Sequence, residues 1–209
     1  MTAVVYVHGL WMPGDEAFIL KHRLAQEFGL SLRAFRYSGT SESMGEVTER
    51  LDGFVRDLHT DAVHFIGHSL GGLVIYRFFE RFPVQPAGNV VFLGTPGVAS
   101  RAAERAGRFA PFAQLLEASV AAELLHPQER RWSHARPLGI IAGTEPMGFG
   151  QLLAEFDEEH DGTIGVSETR LPGATAHLVL PVSHFALLLS ETVARETGRF
   201  LTEGRFSSL

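Results

Sequence analysis

The stretch Val63-His64-Phe65-Ile66-Gly67-His68-Ser69-Leu70-Gly71-Gly72 sets a serine where a short apolar run gives way to an amphipathic one. The spacing Gly67-x-Ser69-x-Gly71 between a strand and a helix suits a very sharp turn that pushes the serine hydroxyl clear of a sheet. Such a turn is strained, so residues two positions away must be small, and both are glycine. A helix starting at Leu70 would aim its positive end at the site and favour a developing negative charge. This is the setting of a nucleophile for acyl transfer. A serine that merely caps a helix could carry the same five residues, so the remaining partners decide.

A serine hydroxyl attacks only when a base takes its proton, and histidine suits that task because it titrates near neutrality. The chain has ten histidines. His184 follows the last expected strand and precedes the last expected helix, at the carboxyl edge of a parallel sheet, where catalytic groups gather. His177 lies at the start of that same strand and is expected to face away from Ser69. His68 adjoins the nucleophile, and the turn should send its side chain elsewhere, into packing. His8 is expected to brace the loop after the first strand. No histidine pair has the spacing and flanking glutamate of an H-E-x-x-H metal site.

The elements that would hold these groups alternate. Strands are expected at 4–7, 31–36, 62–67, 89–93, 138–143 and 176–180. Helices are expected at 16–28, from a capping box at Ser43 and Glu46 to about 58, at 70–82, and at 185–201. The alternation implies an α/β fold: a mostly parallel sheet of about six strands with helices on both faces. No linker or repeat breaks residues 1–209, so one domain is expected. Residues 98–137 read as a small helical, lid-like insertion over the site. In it Ala102, Ala106, Phe109, Ala113 and Leu116 share a helical face.

Composition narrows the classes. The 209 residues are 45% hydrophobic and 20% charged, with a net charge of -6, which fits an ordinary globular protein. No Lys/Arg block gives nucleic acid a footprint. The absence of cysteine excludes disulfides, thiolate metal sites and a cysteine nucleophile. No apolar run approaches the roughly 20 residues that span a bilayer, and no signal-like segment opens the chain. A cytoplasmic protein without a transmembrane segment is the expectation.

Nearly the whole chain resembles small serine hydrolases of the α/β-hydrolase superfamily, and among them compact bacterial lipases and esterases. Tyr6-Val7-His8-Gly9-Leu10 resembles the family's His-Gly segment after its first core strand. Gly67-His68-Ser69-Leu70-Gly71-Gly72 resembles its nucleophile elbow. Asp161-Gly162-Thr163-Ile164 resembles the Asp-Gly-x-Val stretch that carries the acid in many lipases, and Pro181-Val182-Ser183-His184 resembles the loop bearing the base. The order Ser, Asp, His is the family's order.

The resemblance implies a triad of Ser69, Asp161 and His184. It implies an oxyanion hole from the amides of Leu70 and Leu10, with Trp11 as the fallback donor. Glu145 competes for the acid, because it directly follows the fifth strand, where the simplest topology of the family puts that residue. Asp161 is preferred for its Asp-Gly turn, and because Glu145 precedes Pro146 and reads as the start of an excursion. Asp157, Glu158 and Glu159 read as a solvated run. Trp11, Met12, Phe109 and Phe112 would line the substrate pocket. The implied activity is cleavage of a carboxyl ester through an acyl-enzyme, on a small-molecule ester or acyl substrate, with no cofactor and no metal. Thioesterases and acyltransferases use the same residues. A non-catalytic hydrolase-like binding protein is the alternative of another class; such proteins usually lose the serine, the histidine or the elbow glycines, and all are present here.

Overall fold

Parallel pairing follows from the return segments. Each strand is too far in sequence from the next for a hairpin, and an intervening segment carries the chain back across a sheet face. A computed structural model describes residues 2–97, 119–124, 129–147 and 156–207. Within them β1 (Thr2–Val7), β2 (Ser31–Phe35), β3 (Ala62–His68), β4 (Val90–Leu93), β5 (Leu138–Gly143) and β6 (Ala176–Leu180) form one sheet. Their order is β2-β1-β3-β4-β5-β6, and every pairing is parallel. The direction of winding reverses between β1 and β3, so a crevice opens at their carboxyl ends. Those ends carry His8–Leu10 and Ser69.

The helices among the described residues are α1 (Phe18–Phe28), α2 (Met44–Arg56), α3 (Leu70–Arg81) and α4 (Glu191–Glu203). Strand side chains alternate between the two faces. Val5, Val7, Phe65, Phe92 and Ile140 pack with α2 and α3 in one core. Val4, Tyr6, Ile66, Val91 and Ile141 pack with α1 and α4 in the other. A fully buried side chain of this kind contributes about 1.5–3 kcal/mol. Burial on both faces, not turn chemistry, therefore holds the sheet that presents the site.

The expected capping box forms: Ser43 Oγ accepts from the Glu46 amide, and Glu46 Oε2 accepts from the Ser43 amide at 2.9 Å. Two helices differ from the sequence reading. The first is preceded by a 3-10 turn at Asp15–Ala17. The last is not continuous from 185: a 3-10 turn covers Ala186–Leu188, and α4 begins only after Ser190, whose Oγ accepts from the Val193 amide. A capping serine inside an otherwise helical pattern ends one turn and starts the next.

Most of the expected insertion, with Phe109 and Phe112, lies outside the described residues. Its described parts are anchored. The amides of Val120 and Ala121 donate to the carbonyls of Glu42 and Gly39. Glu123 pairs with Arg77 on α3 at 3.0 Å and with buried Arg130 at 2.8 Å. No helix among the described residues is long and apolar enough to cross a membrane.

Candidate active site

Ser69 joins β3 to α3 with φ 52° and ψ −122°. This is positive-φ backbone, costly for a residue with a Cβ, and it persists only where its surroundings over-determine it. The neighbours supply that constraint. A Cβ on Gly71 would stand 2.0 Å from the Val7 carbonyl oxygen, and one on Gly67 would stand 2.5 Å from Gly72 Cα. Only glycine lets the turn close against β1 and against the first turn of α3. The Ser69 amide donates to the Leu93 carbonyl at 2.9 Å.

His184 is buried beside the ends of β4 and β5. Its Nδ1 stands 2.6 Å from Asp161 Oδ2. The backbone repeats the pairing, because the His184 amide donates to the Asp161 carbonyl at 2.8 Å. Asp161 Oδ1 accepts from the amides of Thr163 and Ile164 at 2.9 and 2.7 Å. Gly162, at φ 94°, turns the chain so that both amides point back. Burial pushes the Asp161 carboxyl up. The His184 charge, the His184 hydrogen bond and the two amides outweigh burial and hold it below the ordinary aspartate value. Asp161 is thus a carboxylate, and the bridging proton belongs to His184 Nδ1.

The long excursion after β5 returns to the strand it left. A Cβ on Gly143, the last residue of β5, would lie 2.2 Å from the Val182 carbonyl and 2.8 Å from Asp161 Cβ. Glycine there lets the two loops bearing Asp161 and His184 close on the strand end. Glu145, the competing acid, is exposed. Its amide donates to the Val182 carbonyl, which continues the edge of the sheet. Within the acidic run, Glu158 accepts from the Ser167 amide and hydroxyl at 2.8 and 2.7 Å. His177 bonds through Nε2 to Thr169 Oγ1 at 2.8 Å.

His8 braces the loop after β1. The Tyr37 amide donates to its Nε2 at 3.3 Å, which leaves the proton on Nδ1 to bond the Gly9 carbonyl at 2.8 Å. The Tyr37 hydroxyl adds a bond to the His8 carbonyl, and the two rings stack. That loop lies against the elbow: a Cβ on Gly9 would be 3.2 Å from Ser69 Cβ and 3.4 Å from Met12 Sδ. Leu10 and Leu70 converge too, since a Cβ on Gly39 would meet Leu10 Cδ1 at 2.8 Å and Leu70 Cδ2 at 3.5 Å. Met12 Sδ and Ser69 Cβ thus both lie close to Gly9. Trp11, at φ 59°, is 71% exposed.

His68 plays a part that its sequence position conceals. It is fully buried, and its ring lies 4.8 Å from that of His184. Its Nε2 donates to the His184 carbonyl at 3.0 Å. Burial, with the His184 charge second, holds its imidazole down at about 3, so it stays neutral. Its Nδ1 is a buried acceptor with no hydrogen-bond partner among the described residues. No three His, Asp or Glu side chains among the described residues form a group able to hold a metal.

A parallel six-stranded sheet with a strained serine at a strand–helix junction defines an α/β hydrolase. The family model described as "Alpha/beta hydrolase family" matches residues 4–199, and the chain belongs to that family. Among solved structures it is similar to the Bacillus licheniformis lipase BlEst2 in its mature form, at 19% identity and a TM-score of 0.68, over 89% of this chain and 86% of that one. It is similar to the RedJ thioesterase of the prodiginine pathway of Streptomyces coelicolor, at 15% identity and a TM-score of 0.60, over 96% and 85%. It is also similar to the pyrethroid hydrolase PytH, at 15% identity and a TM-score of 0.68, over 97% and 98%. At these identities the likeness is one of fold. No curated protein matches it in sequence.

Proposed function

We propose that this protein cleaves carboxyl esters through an acyl-enzyme on Ser69. The observation that carries the reading is the buried His184–Asp161 pair, with its carboxylate held charged, at the same sheet edge as the strained serine. With its Nδ1 proton committed to Asp161, neutral His184 keeps Nε2 as a proton acceptor. His184 takes the Ser69 proton as the hydroxyl oxygen attacks the ester carbonyl. The oxyanion is held by the amides of Leu70 and Leu10. The first is the opening amide of α3, which has no partner within the helix. His184 then protonates the leaving alcohol, and later activates the water that releases the acid. Asp161 holds the histidine tautomer and stabilises the imidazolium.

Met12 is the pocket residue best supported by position. Trp11, Phe109 and Phe112 complete the proposed lining, and the insertion at 98–137 would set acyl size. The test is a serine-directed phosphonate followed by mass spectrometry, together with p-nitrophenyl esters and acyl thioesters of graded length. One adduct on Ser69 and hydrolysis of the oxygen esters are expected. Turnover of thioesters alone would move the assignment to a thioesterase. No adduct and no turnover would leave a binding protein.

A further inference from the structure

The sharp turn at Ser69 requires Gly67 and Gly71, but it makes no demand on Gly72. Packing against Thr95 does. A Cβ on Gly72 would lie 2.1 Å from Thr95 Oγ1 and 2.5 Å from Thr95 Cγ2. Thr95 follows β4, is 2% exposed, and fills the space that the missing side chain leaves. From there its hydroxyl donates to the Ser69 carbonyl oxygen at 2.9 Å. The same oxygen accepts from the Gly72 amide at 3.1 Å.

The Ser69 carbonyl and the Leu70 amide belong to one peptide unit. That unit is planar and trans, so its C=O and N–H point in opposite directions. A bond that pulls the Ser69 oxygen toward Thr95 aims the Leu70 N–H the other way. Gly94, beside Thr95, faces the other half of the site: a Cβ there would lie 3.0 Å from His184 Nδ1 and 3.1 Å from Asp161 Oδ2. The dipeptide after β4 thus touches the nucleophile's main chain with one residue and the His184–Asp161 pair with the other.

We infer that Thr95 is a positioning residue: its hydroxyl orients the oxyanion-binding amide of Leu70 by holding the Ser69 carbonyl, and Gly72 exists to admit it. This rests on the proposed ester hydrolysis through Ser69. The effect should appear where negative charge develops and not in ground-state binding, since only a donor aimed at the transition state accelerates the step.

The experiment compares wild type, Thr95→Val and Thr95→Ser on one p-nitrophenyl ester, with inhibition by a trifluoromethyl ketone that forms a tetrahedral adduct with serine hydrolases. Valine keeps the branched shape and removes the donor; serine keeps the donor and removes the methyl packing. Thr95→Val should lower kcat about tenfold to a hundredfold and weaken the ketone in parallel, with KM within about threefold. Thr95→Ser should keep kcat within about threefold although it loses packing. A purely structural role reverses the order, because serine leaves the cavity. An active wild type whose Thr95→Val variant keeps full kcat, or whose Thr95→Ser variant loses tenfold or more, overturns the inference alone. The serine arm decides by itself if the valine variant does not fold. A wild type that hydrolyses no ester overturns the proposed function and this inference with it.

Discussion

His184 and Asp161 meet twice, side chain to side chain at 2.6 Å and amide to carbonyl at 2.8 Å. The second contact ties the loops that carry them, so the imidazole does not depend on one hydrogen bond for its place. Asp161→Asn should therefore leave the ring near its position but reverse the tautomer, and kcat should fall by roughly 10⁴. Glu145→Gln, at an exposed residue, should stay within about threefold. Both are read by steady-state kinetics on a p-nitrophenyl ester. Collapse of the Glu145 variant with an intact Asp161 variant would make Glu145 the acid.

Ser69→Ala should remove the nucleophile without disturbing the turn. Under the proposed acyl-enzyme mechanism, loss on the order of 10⁶ in kcat is expected. Retention of more than about a hundredth of wild-type activity in a purified, folded sample would show that another group attacks the ester.

His184→Ala should be nearly as damaging, and His177→Ala should keep most activity. His177 is engaged with Thr169 near the start of β6, away from the carboxyl edge. The opposite ranking of the two variants in the same assay would reassign the base.

Two glycine-to-alanine variants should move stability in opposite directions. Gly71→Ala drives a methyl into the Val7 carbonyl, and overpacking against backbone should lower Tm by roughly 6–12 °C. Gly53→Ala, within α2 and with nothing within 4 Å of the new methyl, should raise stability by about 0.5–1 kcal/mol. Thermal melts of the two variants decide. Equal Tm values would mean that the elbow is not tightly closed against β1.

His68 makes stability depend on pH. Burial first, and the His184 charge second, hold its folded-state value at about 3, against about 6.5 in an unfolded chain. Between those values the unfolded chain binds a proton that the folded one refuses. The stabilisation is therefore complete above about pH 6.5 and is lost as pH falls, at up to about 1.4 kcal/mol per pH unit. His68→Gln, which offers an amide donor toward the His184 carbonyl, removes that dependence. Urea midpoints at pH 7.0 and 4.5 should show wild type losing about 2 kcal/mol more than the variant. Equal losses would mean that His68 is not the buried titrating group.

Local chemistry is legible in the sequence itself. The alternation of apolar runs with amphipathic stretches sets an α/β fold, because a buried parallel strand needs continuous apolar residues and a covering helix needs a stripe. Beta5 and β6 fall where their sequences place them. The Ser43 cap and the elbow glycines depend on neighbours within a few residues, so their signals are local and readable. The split before α4 was not, because Ser190 is capping chemistry inside a pattern that also suits a helix. The choice between Asp161 and Glu145 was long-range. Sequence distance from β5 favours Glu145, and only the return of the excursion, which Gly143 admits, brings Asp161 to His184. The same holds for His68 beneath the His184 carbonyl and for Thr95 beside Gly72. His68 and His184 are 116 positions apart in the chain, and Gly72 and Thr95 are 23 apart. The pairs lie at or just beyond the ends of β3, β4 and β6, and meet only because parallel winding brings those carboxyl ends to one edge of the sheet.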